Sequence, residues 1–440
     1  MRLNLRKGDT IVGGDDAEAR VYIIDGEVSL NRHGQNNSPL YYTWRAPAHL
    51  LNHEEKRVYL KLTARDSYMY PSLYRESMFK IRFPYIEYIE DSFETELEED
   101  GQVKNFFVVA AEFIEGVTLD KYIKSCNISS LMTLEGVEEQ QFRLILQLLY
   151  AVDAYSSCRS GQDCMTHRDL KPGNLIISEK DSRLVIIDFD WAHIPNADSF
   201  VERKRRQIAK GGTRGYGDPV NWRKASGEIA HSDIRMDIYS VAMLIYYIMC
   251  GKDYFNTQEE KEHYTELQYF NLAYRFNINK IPGHHPFRDR KYAPVYEIIR
   301  RAMAPMEERY KSVRDMIVDL EAFLKSYCKD EKTYRRLFSF KELLDVPQTP
   351  DRNKMLCRYY DIEHSCWRDI TLHNHQSSIL YQNKGAVLSV YNRDGQLVCY
   401  PYNAVADVPA EKDGTVILAA DDPVVFKTGR GTFEIIRILY

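Results

Sequence analysis

From residue 1 to about 112 the apolar positions fall in short alternating runs, "DTIVGG", "ARVYIID", "KRVYLKLTA" and "FFVVAAEF". That period predicts β-strands. One helical candidate, "YPSLYRESMFKIRF", lies among them. The polar stretch from Ser29 to Lys56 breaks the series and reads as an insertion or long loop. Glu94 to Asp100 carries five acids and reads as a solvated hairpin tip. From 113 to 328 the spacing becomes helical. "EEQQFRLILQLLYAVDAYSS" is amphipathic, and "MDIYSVAMLIYYIMCG", apolar nearly all round, predicts a buried helix closed by Gly251. "SVRDMIVDLEAFLKSY" opens on Ser312 as N-cap. Residues 329–356, charged and holding Pro347 and Pro350, read as a partly helical connector. In 357–440 short β-runs return, punctuated by "RDG", "KDG" and "GRG", and predict a separate small all-β domain, a sandwich or barrel.

Composition narrows the class. Of 440 residues, 44% are hydrophobic and 28% charged, which suits a globular chain with a sizeable core. A net charge of −5 argues against a nucleic-acid-binding polycation. The longest apolar run, "VAMLIYYIMC", is about half of a membrane span, and the opening "MRLNLRKGDT" has no signal-peptide pattern. The eight cysteines form no C-x-x-C pair, which favours reduced thiols and a cytoplasmic setting. Cys357, His364, Cys366, His373 and His375 cluster, but their spacing matches no common zinc pattern, so they read as ordinary β-domain residues.

Candidate chemistry concentrates in two stretches. "THRDLKPGNLII" supplies Asp169, Lys171 and Asn174, and "RLVIIDFDWAH" delivers Asp188 at the end of a β-run. Phosphoryl transfer uses such a set: a carboxylate to take the hydroxyl proton, a cation for charge developing on the phosphate, and an amide oxygen with a second carboxylate for a metal. The second stretch alone leaves three readings open: a protein kinase, a small-molecule kinase or a nucleotide-binding relic.

"HRDLKPGN" carries a resemblance to the eukaryotic-type (Hanks-type) serine/threonine protein kinases, extending over roughly residues 8 to 328. The resemblance implies an α+β bilobal protein-kinase fold, with a β-rich N-lobe (1–112) and a helical C-lobe (113–328), here followed by the all-β domain. It implies ATP and Mg²⁺ as cofactors and a protein substrate. Asp169, Lys171 and Arg168 would be catalytic, and Asn174 and Asp188 would hold the metal. Gly14, Val21, Lys61, Glu76, Glu112, Ile114 and Ile176 would surround the nucleotide. Asp237 of "RMDIYS" would anchor the catalytic loop, and "EERYKS" would supply Arg309. No nucleic-acid or membrane partner is implied, and the tail is expected to bind a protein partner or a second copy.

The chain departs from that pattern in four places. "GDDAEARV", aligned on Val21, keeps only Gly14 of the glycine-rich loop. Tyr59 stands two residues before Lys61, where a small residue usually roofs adenine. "GDPV" replaces A-P-E, so Val220 cannot pair with Arg309. Asp190 stands where a glycine usually follows Asp-Phe. Arg168 precedes the catalytic Asp, an arrangement that reads phosphorylation, with Ser199 and Thr213 as candidate acceptors. Two alternatives accompany the kinase reading: a non-catalytic nucleotide-binding scaffold, and a small-molecule kinase of the aminoglycoside or choline type.

Overall fold

The computed structural model describes residues 2–13, 20–32, 42–51, 53–79, 81–125, 137–157, 159–160, 163–193, 212–219, 233–255, 272–328 and 330–338, and the strands between 354 and 438. Gly14, Ser199, Val220 and the basic run "ERKRRQIAK" lie outside the described residues. The chain divides into two compact units, one of Met1–Phe79, Phe83–Ser157 and Asp163–Lys341, the other of Lys80–Arg82, Cys158–Gln162 and Glu342–Tyr440.

The first unit opens with strands β1 (Thr10–Gly13), β2 (Arg20–Ile24), β3 (Ser29–Arg32), β4 (Tyr42–Leu50), β5 (His53–Ala64), β6 (Ile89–Glu99) and β7 (Gln102–Glu112), and helix α1 (Tyr70–Ser77). They form one sheet in the order β1-β2-β4-β5-β7-β6, with β3 pairing β4. Its inner face is a core of Trp44, Ala46, Ala48, Val58, Leu60, Leu62, Val108 and Ala110. The described parts of the Ser29–Lys56 stretch are strands, β3, β4 and the start of β5, rather than loop. β4 pairs β5 residue by residue, Trp44 opposite Leu62 and Arg45 opposite Lys61. Its polar outer positions and Pro47 hid the alternation.

The acidic Glu94–Asp100 segment also differs from expectation. Only Asp100 and Gly101, both at positive φ (51° and 77°), make the β6–β7 turn, as a two-residue hairpin requires. Glu99 is fully buried. It accepts from Tyr42 Oη at 2.8 Å, Trp44 Nε1 at 2.9 Å and Lys104 Nζ at 2.9 Å.

The rest of the unit is largely helical: α2 (Leu119–Ser125), α3 (Val137–Ser156), α4 (Ile234–Cys250), α5 (Ala293–Met303), α6 (Val313–Tyr327) and α7 (Glu331–Leu337). In α4 every residue but Arg235 is buried, so the all-round apolar pattern is that of a central helix. Asp233 caps it by accepting from Arg235 N, and Gly251 ends it at φ 69°. Ser312 caps α6 by accepting from Asp315 N at 3.2 Å. Beside the helices lies a small sheet, β10 (Leu184–Ile186), β9 (Leu175–Ser178) and β8 (Gly116–Thr118) in that order. Gly116 is required there, because a Cβ would lie 2.2 Å from Ile177 O. Among the described residues no helix is long and apolar enough to cross a membrane.

In the second unit all the described strands from 354 to 438 are antiparallel, in a five-stranded and a four-stranded sheet. Cys357, Leu372, Val424, Phe426 and Ile435 of the first and Leu380, Leu388, Val390, Leu397, Cys399 and Val416 of the second share one apolar core.

Candidate active site

Lys61 on β5 is almost fully buried, and its ammonium meets three carboxylates. Glu76 Oε1 of α1 lies at 2.5 Å, Asp188 Oδ1 at 3.2 Å and Glu87 Oε2 at 3.4 Å. Burial works against the charge, but Glu76, Glu87 and Asp188 outweigh it and hold the ammonium well above its usual range. Lys61 is therefore a fixed cation at neutral pH.

The same two glutamates pin the Asp188–Asp190 turn. Asp188 N donates to Glu87 Oε2 at 3.1 Å and Phe189 N to Glu76 Oε1 at 3.1 Å. Asp188 itself is left-handed, at φ 69° and ψ 66°, a conformation Asp tolerates better than most residues. Phe189 is fully buried, with ring centroids 4.3 Å from Phe79 and 4.6 Å from His167. Asp190 is buried too, and its Oδ2 lies 3.9 Å from Arg45 Nη2. Burial and the neighbouring charges of Asp188 and Glu76 push its carboxyl well above the usual range.

The catalytic-loop candidates are held from below by Asp237 of α4. Its Oδ2 accepts from His167 N at 2.6 Å and Tyr155 Oη at 2.7 Å, and its Oδ1 from Arg168 N at 2.9 Å. Burial raises the Asp237 carboxyl above its usual range, against those hydrogen bonds. Arg168 is held at φ 68°. The Asp169 carboxylate then gathers three donors: Lys171 Nζ at 2.6 Å, Thr213 Oγ1 at 2.8 Å and Asn174 Nδ2 at 3.2 Å. Asn174 Nδ2 also donates to Asp169 O at 2.9 Å, which leaves the amide Oδ1 as the metal-facing candidate. Ile187 N donates to Asn174 O at 3.0 Å and so ties the two metal candidates, Asn174 and Asp188, into one hairpin.

The adenine-side candidates come together less tightly. Tyr59 lies opposite Pro47 and Ala111 and is half-buried. Glu112 and Ile114 follow at the end of β7, and Ile176 sits on β9 opposite Thr118 and Val185. Glu112 is turned toward Arg183, 3.5 Å away. Val21 does not join this group. It is on β2, which touches β4 through Tyr22–Ile24, and β4 stands between β2 and the strand of Lys61. The strand next to β5 on that side is β4, which pairs β3 in turn.

Val220 is not needed to pair with Arg309. Asp218, two residues earlier, lies 2.5 Å from Arg309 Nη1, with both side chains wholly buried. The sequence reading missed Asp218, Glu87 and Arg45. The acid in "GDPV" was a visible signal for the first. The other two depend on strand register and on the turn before β6.

A family profile described as the protein kinase domain matches residues 74–347, more than half of the chain, so the chain belongs to the protein kinase family. Among the proteins it resembles over part of its length are several named as serine/threonine-protein kinases. It is 25% identical over 224 residues to the serine/threonine-protein kinase PknA of Nostoc sp., covering 50% of this chain and 34% of that one. It is 30% identical over 154 residues to the probable serine/threonine-protein kinase PknB of Bifidobacterium longum, covering 35% of this chain and 19% of the other. With Aurora/IPL1-related protein kinase 2 of Caenorhabditis elegans it shares 26% over 183 residues, 40% and 55% of the respective chains. The match thus spans about a third of the length of PknA and a fifth of that of PknB.

Proposed function

We propose that the chain transfers the γ-phosphate of ATP to serine or threonine hydroxyls of proteins, with Mg²⁺. The observation that carries this is the Asp169 carboxylate gripped by Lys171, Thr213 and Asn174. In that grip Asp169 would orient an incoming hydroxyl and take its proton, while Lys171 would offset charge growing on the transferred phosphate. Lys61 would hold the non-transferred phosphates. The donor set suits magnesium, since Asn174 and Asp188 offer oxygen to a hard cation. Around Asp188 the acids Glu76, Glu87 and Asp190 outnumber the cations Lys61 and Arg45. The metal would neutralise the triphosphate, and Asn174 and Asp188 would hold it.

Thr213 and the Asp218–Arg309 pair support a protein rather than a small-molecule acceptor. They order residues 212–219, the segment against which a polypeptide docks in this family. The tail would serve as an accessory unit for a partner or a second copy, and the chain is expected to phosphorylate itself. The test is to incubate it with labelled ATP and Mg²⁺ and a basic protein, choline or an aminoglycoside. Label on serine and threonine of the protein supports the reading. Label on the small alcohols alone overturns it in favour of the small-molecule class.

A further inference from the structure

Arg45 stands on β4 directly opposite Lys61. Directly opposed residues of an antiparallel pair point to the same face, so the two cations enter one site. Arg45 Nη2 donates to Asp188 Oδ1 at 3.0 Å and Oδ2 at 3.2 Å, and its Nε is buried with no acceptor among the described residues. A buried guanidinium with an unspent donor is costly unless something else accepts from it. Asp188 is shared between Lys61 and Arg45. Lys61 has a second, closer hold on Glu76 at 2.5 Å, whereas Arg45's next ion pair among the described residues is Asp190 at 3.9 Å, with Glu76 acting on it from farther off. A divalent ion taking the Asp188 carboxylate would therefore release Arg45 first.

We infer that Arg45 is a phosphate-binding residue of this site, which turns from Asp188 onto the triphosphate when Mg·ATP binds. A guanidinium fork matches phosphate oxygens in pairs. It supplies from a side chain the donors that a glycine-rich loop supplies from its backbone, and "GDDAEARV" keeps only Gly14 of such a loop. Asp190 fits the same account, since it gives the released guanidinium a second carboxylate to lean on.

This inference rests on the kinase reading, and binding of Mg·ATP, Mg·ADP and adenosine to the full chain tests it by calorimetry. Arg45→Ala is expected to weaken Mg·ATP by about 10- to 100-fold, one charge-assisted contact, and to leave adenosine within about two-fold. Arg45→Lys, which keeps the charge and loses the fork, falls between. Mg·ATP affinity unchanged in Arg45→Ala, or an equal loss for adenosine, overturns the inference and makes Arg45 a structural counter-ion. Should Arg45→Ala fail to fold, Arg45→Gln in the same comparison decides. A wild-type chain that binds adenosine and Mg·ATP equally, or neither, defeats the kinase reading itself, and this inference with it.

Discussion

Asp218 and Arg309 show how a motif can change letters and keep its physics. The family's usual glutamate is absent, yet an acid two residues earlier reaches the same arginine in a fully buried pair. Removing one partner of such a pair strands a buried charge. Asp218→Ala is therefore expected to cost about 3–5 kcal/mol in denaturant unfolding, and a loss below about 1 kcal/mol, the scale of an exposed pair, would show that the pair is idle. Lys171 and Asn174 were legible beside Asp169 because they lie within five positions of it, whereas Thr213, 44 positions on, joins them only in the fold. Arg45 and Glu87 were not legible, because their reach to Asp188 depends on which strands become neighbours.

At the scale of elements, the apolar helices were readable from their period and caps, whereas β4 was not. A strand with Arg45, Pro47 and His49 looks like a loop until its partner is known. Two short turns carry predictions. Gly212 sits at φ +105°, and a Cβ there would lie 2.8 Å from Arg168 O. Gly212→Ala is expected to strain the contact between residues 212–219 and the catalytic loop by about 1–3 kcal/mol, with transfer activity falling alongside melting temperature. The second turn is Pro286–Arg288, where buried His285 accepts from Phe287 N at 3.2 Å through Nδ1. Burial lowers the His285 pKa below its usual value, with His284 and Lys252 adding to the shift. A depressed folded-state pKa means the contribution is complete above the unfolded value of about 6.5 and is lost as pH falls from there through the folded value. His285→Asn, which still caps but does not titrate, should therefore show a smaller fall in melting temperature between pH 7 and pH 5. Equal falls in the two proteins would exclude His285 as a contributor.

For the whole molecule, the change from helical to β-periodicity after the connector was visible in the sequence, but the pairing of the tail strands into two sheets was not. Each unit carries its own apolar core, one built on the first sheet and the other on residues 357–435. Calorimetry of the full chain is expected to show two transitions, and a chain ending at Lys341 should keep only the one that ATP shifts. A single transition lost altogether on truncation would mean that the units fold as one. In the proposed reading Asp169 is set against a protein hydroxyl. The most direct measurement is the rate of γ-phosphate transfer by the full chain with Mg²⁺, compared with Asp169→Asn at equal nucleotide-induced thermal shift. The account predicts a loss of about 100- to 10,000-fold in the variant, with the thermal shift retained. A wild-type chain that gains stability from Mg·ATP yet transfers no phosphate, or a variant as fast as wild type, would contradict it.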